Sequence, residues 1–186
     1  MGLVEVVDTD IDVGRLREAV FAIMIRFDLT SLSQISLTSL TGDNDWHSAN
    51  GKISNLKYPE RYFRSINDGI KDTYLEECIH RYKDFYRWRI LRLSPKQTYS
   101  IHSDGDGLNK NIRLHIPIIT NELAFLAFYD QLPNHKEVSK VYYEHLPAGA
   151  SYRVNTTNLH TAVNYGLADR YHLVGVKYEN SNNRPY

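Results

Sequence analysis

The chain has 186 residues, a length that suits one domain with one sizeable core and excludes two independent cores joined by a linker. Apolar residues make up 42% and charged residues 24%, the balance of an ordinary globular protein rather than a disordered or fibrous one. Lys plus Arg and Asp plus Glu stand at 22 each, so no basic excess points to a nucleic-acid partner.

The opening residues, MGLVEVVDTDID, carry neither a basic nor an apolar signal region, and Val6 breaks the myristoylation pattern that Gly2 begins. The longest apolar runs, such as 19–25, are too short to cross a bilayer. The single cysteine, Cys78, permits no intrachain disulfide and reads as a core thiol. Together these features place the chain in a reducing cytoplasm, away from membranes. Val13, Leu16, Val20, Phe21 and Met24 then recur at helical spacing behind Asp10 or Asp12 as a cap. Residues 41–55 (TGDNDWHSANGKISN) are rich in Gly, Asn, Asp and Ser, which predicts a long exposed loop and, with Trp46 and His47, a candidate substrate lid. A second helix is expected over 73–86, with Tyr74, Cys78 and Tyr82 on one stripe. Residues 1–85 thus read as a mostly helical cover and lid.

Near residue 86 the hydrophobic period changes to two. Eight strand-like runs follow, at 87–93, 98–103, 111–119, 123–129, 140–146, 151–155, 159–165 and 171–179. Turn signals separate them, and the 14 tyrosines of the chain favour strands. The first run, RWRILR at 87–92, alternates basic and apolar residues and reads as one polar face of a strand. Eight short strands predict a mainly β chain with N-terminal helices: a jelly roll, or cupin-like double-stranded β-helix, over 86–180 within one domain spanning 1–186.

Two residues apart on a strand share a face, so His102 and Asp104 meet at the end of the second run. With His160, at the start of the seventh run, they compose a 2-His-1-carboxylate set that leaves open positions on Fe(II). A jelly roll places those two runs side by side. Arg113 and His115 share a face in IRLHIPI, opposite Ile112, Leu114, Ile116 and Ile118, and Arg170 leads into the last strand. Buried cations need partners. Protein carboxylates and a dicarboxylate cosubstrate are both open to Arg113 and Arg170 at this point. Asn164 shares the parity of His160 and reads either as a site residue or as a turn residue before Gly166. His80 reads as a surface or packing residue, and His135, His145 and His172 carry no assigned role.

The segments LSP at 93, YSIHSD at 99–104, IRLHIPIITN at 112–121, AGASYRVNTTNLHTAVNYG at 148–166 and RYHLV at 170 resemble, as an ordered set, the aspartyl/asparaginyl β-hydroxylase family. The resemblance covers roughly the second half of the chain. It implies a double-stranded β-helix, Fe(II) and the cosubstrate 2-oxoglutarate. It implies that His102 and His160 bind iron, that Arg170 holds the distal carboxylate of 2-oxoglutarate, and that Arg113 and His115 lie near its other carboxylate. Some members lack the metal-binding carboxylate. Asp104 places this chain nearer those that keep a full triad, among them free amino-acid hydroxylases. Leu91 stands where the protein hydroxylase has a serine assisting the distal carboxylate, and Tyr99 or Thr161 is the replacement hydroxyl expected here. The resulting expectation is a dioxygenase hydroxylating a small substrate such as a free amino acid. A peptidyl Asp/Asn-type hydroxylase is the second reading, and a non-redox metal cupin, an isomerase or lyase, the third.

Overall fold

The computed structural model describes residues 2–104, 109–131 and 138–180. In chain order the elements are β1 (Val4–Asp8), α1 (Val13–Arg26), β2 (Gln34–Ser36), β3 (Thr38–Ser39), β4 (Ser65–Ile66), α2 (Tyr74–Arg81), β5 (Tyr86–Leu93), β6 (Gln97–Thr98), β7 (Asn109–Ile119), β8 (Ala124–Gln131), β9 (Val138–His145), β10 (Ser151–Asn155), β11 (Leu159–Asn164) and β12 (Arg170–Asn180). They compose a mainly β, jelly-roll-like sandwich with two α-helices. A six-stranded sheet of order β1-β10-β7-β12-β5-β2 faces a four-stranded sheet of order β6-β11-β8-β9. The pairings in both sheets are antiparallel.

All eight predicted strands of the second half are present, with the second cut short. Only Gln97 and Thr98 form β6, and the chain returns to the sheet at His102 through a single bridge to His160. The expectation of a mostly helical first half is corrected: α1 has 14 residues and α2 has 8, and the remainder holds four short strands and three single-turn 3-10 helices. Strands this short carry too few residues for a period of two to register; β1 and β2 exist because β10 and β5 supply pairing edges, and β3 and β4 pair with each other in a separate two-stranded sheet.

Alternation sorts the six-stranded sheet into two unlike faces. Its outer face carries Trp88, Ile90, Leu114, Ile116, Ile118 and Leu173, packed under Leu16, Val20, Ile23 and Met24 of α1 and Leu75, Cys78 and Ile79 of α2. Asp12 caps α1, its Oδ1 accepting from the Arg15 amide at 3.0 Å. Each fully buried aliphatic side chain contributes about 1.5–3 kcal/mol, so this layer dominates the stability of the fold. The packing is close: a Cβ on Gly175 would lie 2.8 Å from Trp88 Cε2, which is why β12 carries a glycine there. A smaller apolar cluster, including Leu93, Leu126, Phe128 and Val154, closes one part of the space between the sheets. The rest of the inner face carries the arginines and histidines, with Leu91, Val174 and Val176 among them.

The 41–55 segment is not a free loop. Trp46 and Ala49 are buried, and Asn67 Nδ2 donates to the carbonyls of Ser36 at 3.0 Å and Asp45 at 3.2 Å. Arg87 anchors the same segment, donating from Nε to the Ala49 carbonyl at 2.9 Å and from Nη2 to the Gly51 carbonyl at 2.8 Å. Arg87 does this from a left-handed backbone, φ 49°, at a bulge where the β5–β12 register shifts between Val174 and Val176. Such a conformation costs an arginine of the order of 1–3 kcal/mol, supplied by the contacts the bulge makes possible.

Candidate metal centre

His102, Asp104 and His160 converge at one edge of the space between the sheets. Their ligand atoms all lie within 4.8 Å of one another. The bridge between the two chain segments sets this arrangement: the His102 amide donates to the His160 carbonyl at 3.0 Å, and the His160 amide donates to the His102 carbonyl at 2.8 Å. The imidazole centroids are 4.5 Å apart. Asp104 is placed by its own amide, which donates to the Thr156 carbonyl at 2.9 Å.

The protonation pattern fits a metal. His102 Nδ1 meets the Ser100 carbonyl at 2.7 Å and His160 Nδ1 meets the Asn158 carbonyl at 2.9 Å. A carbonyl only accepts, so both Nδ1 atoms carry the proton and both Nε2 atoms present lone pairs. Burial would raise the carboxyl of Asp104, but Arg113 beside it holds it down at about 2, so the group is a carboxylate. A set of two imidazoles and one carboxylate suits Fe(II) with open positions. At bond lengths of about 2.0–2.2 Å two ligands stand at most about 4.4 Å apart, close to the 4.8 Å within which this set lies.

A cavity of about 570 Å³ runs inward from this triad. On its large-sheet wall the rows follow from register. Arg113 pairs with Val176, His115 with Val174, and Val174 with Arg89 on the other side; His172 and Arg170 lie further along β12. The two arginines singled out in the sequence part company here. Arg113 donates from Nε to Asp104 Oδ2 at 2.9 Å and from Nη1 to Glu60 Oε1 at 3.1 Å. Its charge is met by two protein carboxylates, it lines the cavity, and its contact with Asp104 orients a candidate metal ligand. Arg170 lines the cavity, 3% exposed. Its Nη2 donates to His172 Nδ1 at 3.1 Å, its Nε has no partner, and no carboxylate among the described residues pairs with it. Burial pulls its pKa down to about 10.

His172, given no role from sequence, is what Arg170 rests on. Because Arg170 only donates, His172 Nδ1 accepts, and the imidazole is neutral with its proton on Nε2. Burial and Arg170 hold its pKa well below the usual value. His115 Nδ1 approaches the same atom at 3.3 Å. Tyr99 lines the cavity with Arg170, whereas Thr161 Oγ1 donates to the Tyr99 carbonyl at 2.7 Å, which leaves Tyr99 as the candidate hydroxyl. Asn164 is the last residue of β11 and does not line the cavity; its Nδ2 donates to the carbonyls of Leu93 and Ala168 at 2.9 Å each.

Sequence reasoning missed Glu60. It is 4% exposed and joins Arg87, Arg113 and Tyr178, the last at 2.5 Å. Burial would raise its carboxyl, but Arg113 and Arg87 outweigh that and lower it. It stands in a single-turn helix, Glu60–Tyr62, with no local pattern to mark it. His47 of the 41–55 segment is exposed and does not line the cavity; Gly51, Lys52 and Ser54 of the same segment do. His80 is a surface residue 3.4 Å from Glu76, and His145 Nδ1 donates to the Ala124 carbonyl at 2.8 Å. Cys78 is fully buried, its thiol pushed up by burial to about 11, as befits a core residue. His135 falls outside the described residues.

No protein-family model and no curated protein matches the chain. Solved structures do. The non-heme alpha ketoglutarate dependent epimerase SnoN from nogalamycin biosynthesis aligns over 96% of this chain and 78% of its own, at TM-score 0.56 and 12% identity. AviO1 from Streptomyces viridochromogenes Tue57 aligns over 93% of this chain and 86% of its own, at TM-score 0.52 and 15% identity. The alpha ketoglutarate dependent carbocyclase SnoK, also from nogalamycin biosynthesis, aligns at TM-score 0.39 and 15% identity, and this chain spans about half its length, 50%. At such identities the likeness is one of fold.

Proposed function

We propose that this protein is an Fe(II)- and 2-oxoglutarate-dependent oxygenase of the aspartyl/asparaginyl β-hydroxylase kind. The observation that carries the reading is Arg170: a buried guanidinium with no carboxylate partner among the described residues, lining the same cavity as a His-Asp-His triad. His102, Asp104 and His160 would hold the iron. Iron with 2-oxoglutarate supplies oxidation of an unactivated C–H bond. Arg170 offers the distal carboxylate a planar fork, with His172 fixing the orientation of that fork and Tyr99 beside it. His115 presents its Nε2 lone pair to the cavity, since its Nδ1 faces His172. The substrate is a small molecule, free amino acids first and peptidyl residues second, with no nucleic-acid or membrane partner. No described helix is long and apolar enough to cross a membrane, and a reducing cytoplasm is the proposed location.

The test is a titration of 2-oxoglutarate into the anaerobic Fe(II) protein, followed by its weak visible charge-transfer band. Truncating one member of a buried charge pair costs roughly 2–5 kcal/mol, so Arg170→Ala is expected to weaken 2-oxoglutarate roughly 30-fold to several thousand-fold while iron binding changes little. Equal affinities in the two proteins would favour the non-redox cupin, which needs no anchor for a dicarboxylate. A mass-shift screen of amino acids and peptides with both cofactors then identifies the substrate.

A further inference from the structure

Arg89 is a second buried cation without a countercharge. It lies on β5, on the inner face of the six-stranded sheet, and is 6% exposed. Its only hydrogen bond among the described residues runs from Nη1 to Gln34 Oε1 at 3.1 Å, a neutral acceptor already shared with the Gly51 amide at 2.9 Å. Its Nε has no partner. Burial, with Arg87 and Arg113 adding to it, holds the pKa of this guanidinium well below the usual value. Hydrogen bonding to an amide oxygen does not neutralise a charge, so the environment favours an anion.

Arg89 and Arg170 do not occupy the same place. Arg170 pairs across the sheet with Leu93, whereas Arg89 pairs with Val174, four residues back along β12 and in the row of His115. Four residues of strand span about 13 Å. On the oxygenase reading the cosubstrate has both ends engaged, one carboxylate at Arg170 and the other at the metal. Charge leads the same way. Arg87, Arg89, Arg113 and Arg170 face the cavity, and Glu60 and Asp104 are the carboxylates that meet them. A divalent metal and a dianionic cosubstrate cancel each other, so the cavity would keep two positive charges in excess, and with Arg170 on the cosubstrate Arg89 is the guanidinium that meets no carboxylate. Lys52 adds a further cation among the cavity-lining residues.

We propose that Arg89 is the substrate-binding residue that selects for a carboxylate, so that the molecule oxidised is a carboxylic acid held by its carboxylate in the Arg89–Gln34 corner. This deepens the oxygenase reading and rests on it only for the occupancy of Arg170. A carboxylate takes the guanidinium fork with two parallel bonds, which would satisfy the orphaned Nε. The free carboxylate of an amino acid, the C-terminus of a peptide and an aspartyl side chain share this chemistry.

The experiment uses Ni(II), which does not turn over, in place of iron. Ligand binding to the Ni(II) protein, with and without 2-oxoglutarate, is followed by thermal shift and calorimetry. The probes are a panel of amino acids, their amides, and short peptides with either a free C-terminus or an internal aspartate. At least one acid is expected to bind while its amide binds more than tenfold more weakly, and the peptides separate the three sources of the carboxylate. Arg89→Gln is expected to weaken that acid at least about 30-fold while 2-oxoglutarate affinity stays within threefold, and Arg89→Lys to recover part of the loss. Arg89→Met keeps the length of the side chain without its charge, and serves should the glutamine variant not fold. Acid and amide binding alike, no acid binding at all, or 2-oxoglutarate weakened by Arg89→Gln as strongly as by Arg170→Ala would each overturn the proposal. Failure of wild-type protein to bind 2-oxoglutarate would instead overturn the oxygenase reading, and the comparison of acid with amide on the Ni(II) protein still decides the role of Arg89.

Discussion

The two faces of the six-stranded sheet are built from the same strands and do opposite work. On the outer face, Trp88, Ile90, Leu114, Ile116 and Leu173 meet the helices in dry contact. On the inner face, one residue along in each case, stand Arg87, Arg89, Arg113, His115 and His172. The outer residues lower the free energy of the fold by leaving water. Arg89 on that face and Arg170 at its end raise it, because a buried cation without a carboxylate loses its hydration, and the fold carries that cost where a ligand is to repay it. Stability and binding are therefore expected to separate by face, with Glu60 as the one residue on which both depend.

The largest effect expected is on the outer face. Trp88→Ala should cost about 3–5 kcal/mol in denaturant unfolding, yet leave the metal affinity of the folded fraction unchanged. A matching loss of metal affinity would mean that the faces are not separable. Glu60→Gln should cost a comparable amount, about 3–5 kcal/mol, because it strips the compensating charge from Arg87 and Arg113. It should also weaken the metal, since Arg113 then pulls on Asp104 alone. Combined stability and metal titrations of this variant sharpen the comparison by showing how tightly the charged face is tied to the fold.

Arg170→Met is expected to act in the other direction. Removing a buried cation without a carboxylate partner should stabilise the metal-free protein by about 1–3 kcal/mol at pH 8. The sign with pH follows from its pKa, pulled by burial to about 10, below the ordinary guanidinium value. The penalty for burying the charge is fully present below about pH 10 and is relieved as pH rises above it toward the ordinary value. The gap between variant and wild type should therefore narrow above pH 10, read by chemical denaturation at several pH values. The groups facing Arg170 are His172, neutral throughout this range, and Tyr99, whose pKa is raised by burial. A wild type more stable than the variant at pH 8 would show that Arg170 already has a countercharge. The smallest effect belongs to His172→Leu. Loss of one hydrogen bond to Arg170 is worth about 0.5–1.5 kcal/mol, so 2-oxoglutarate should weaken roughly threefold to tenfold with metal affinity unchanged.

Much of this was legible before any coordinates. The period of two after residue 86 specified the β core, because alternation is a local property of each strand and survives without knowledge of its neighbours. The His-x-Asp pair and the later histidine specified a triad, since residue type and spacing together restrict what a strand end presents. The asymmetry between Arg113 and Arg170 was not legible. Both are arginines in strands with apolar flanks, and the fold distinguishes them by bringing Asp104 and, from a distant single-turn helix, Glu60 to Arg113 and no described carboxylate to Arg170. The same holds for β1 and β2, which pair with β10 and β5, and for the 41–55 segment, whose polar composition reads as exposed until Arg87 reaches its carbonyls. Sequence determined what each strand shows to each side. Tertiary structure decided which buried charges find a partner, because a countercharge is set by distance in space, and Glu60, which serves both Arg87 and Arg113, lies tens of positions from either in the chain.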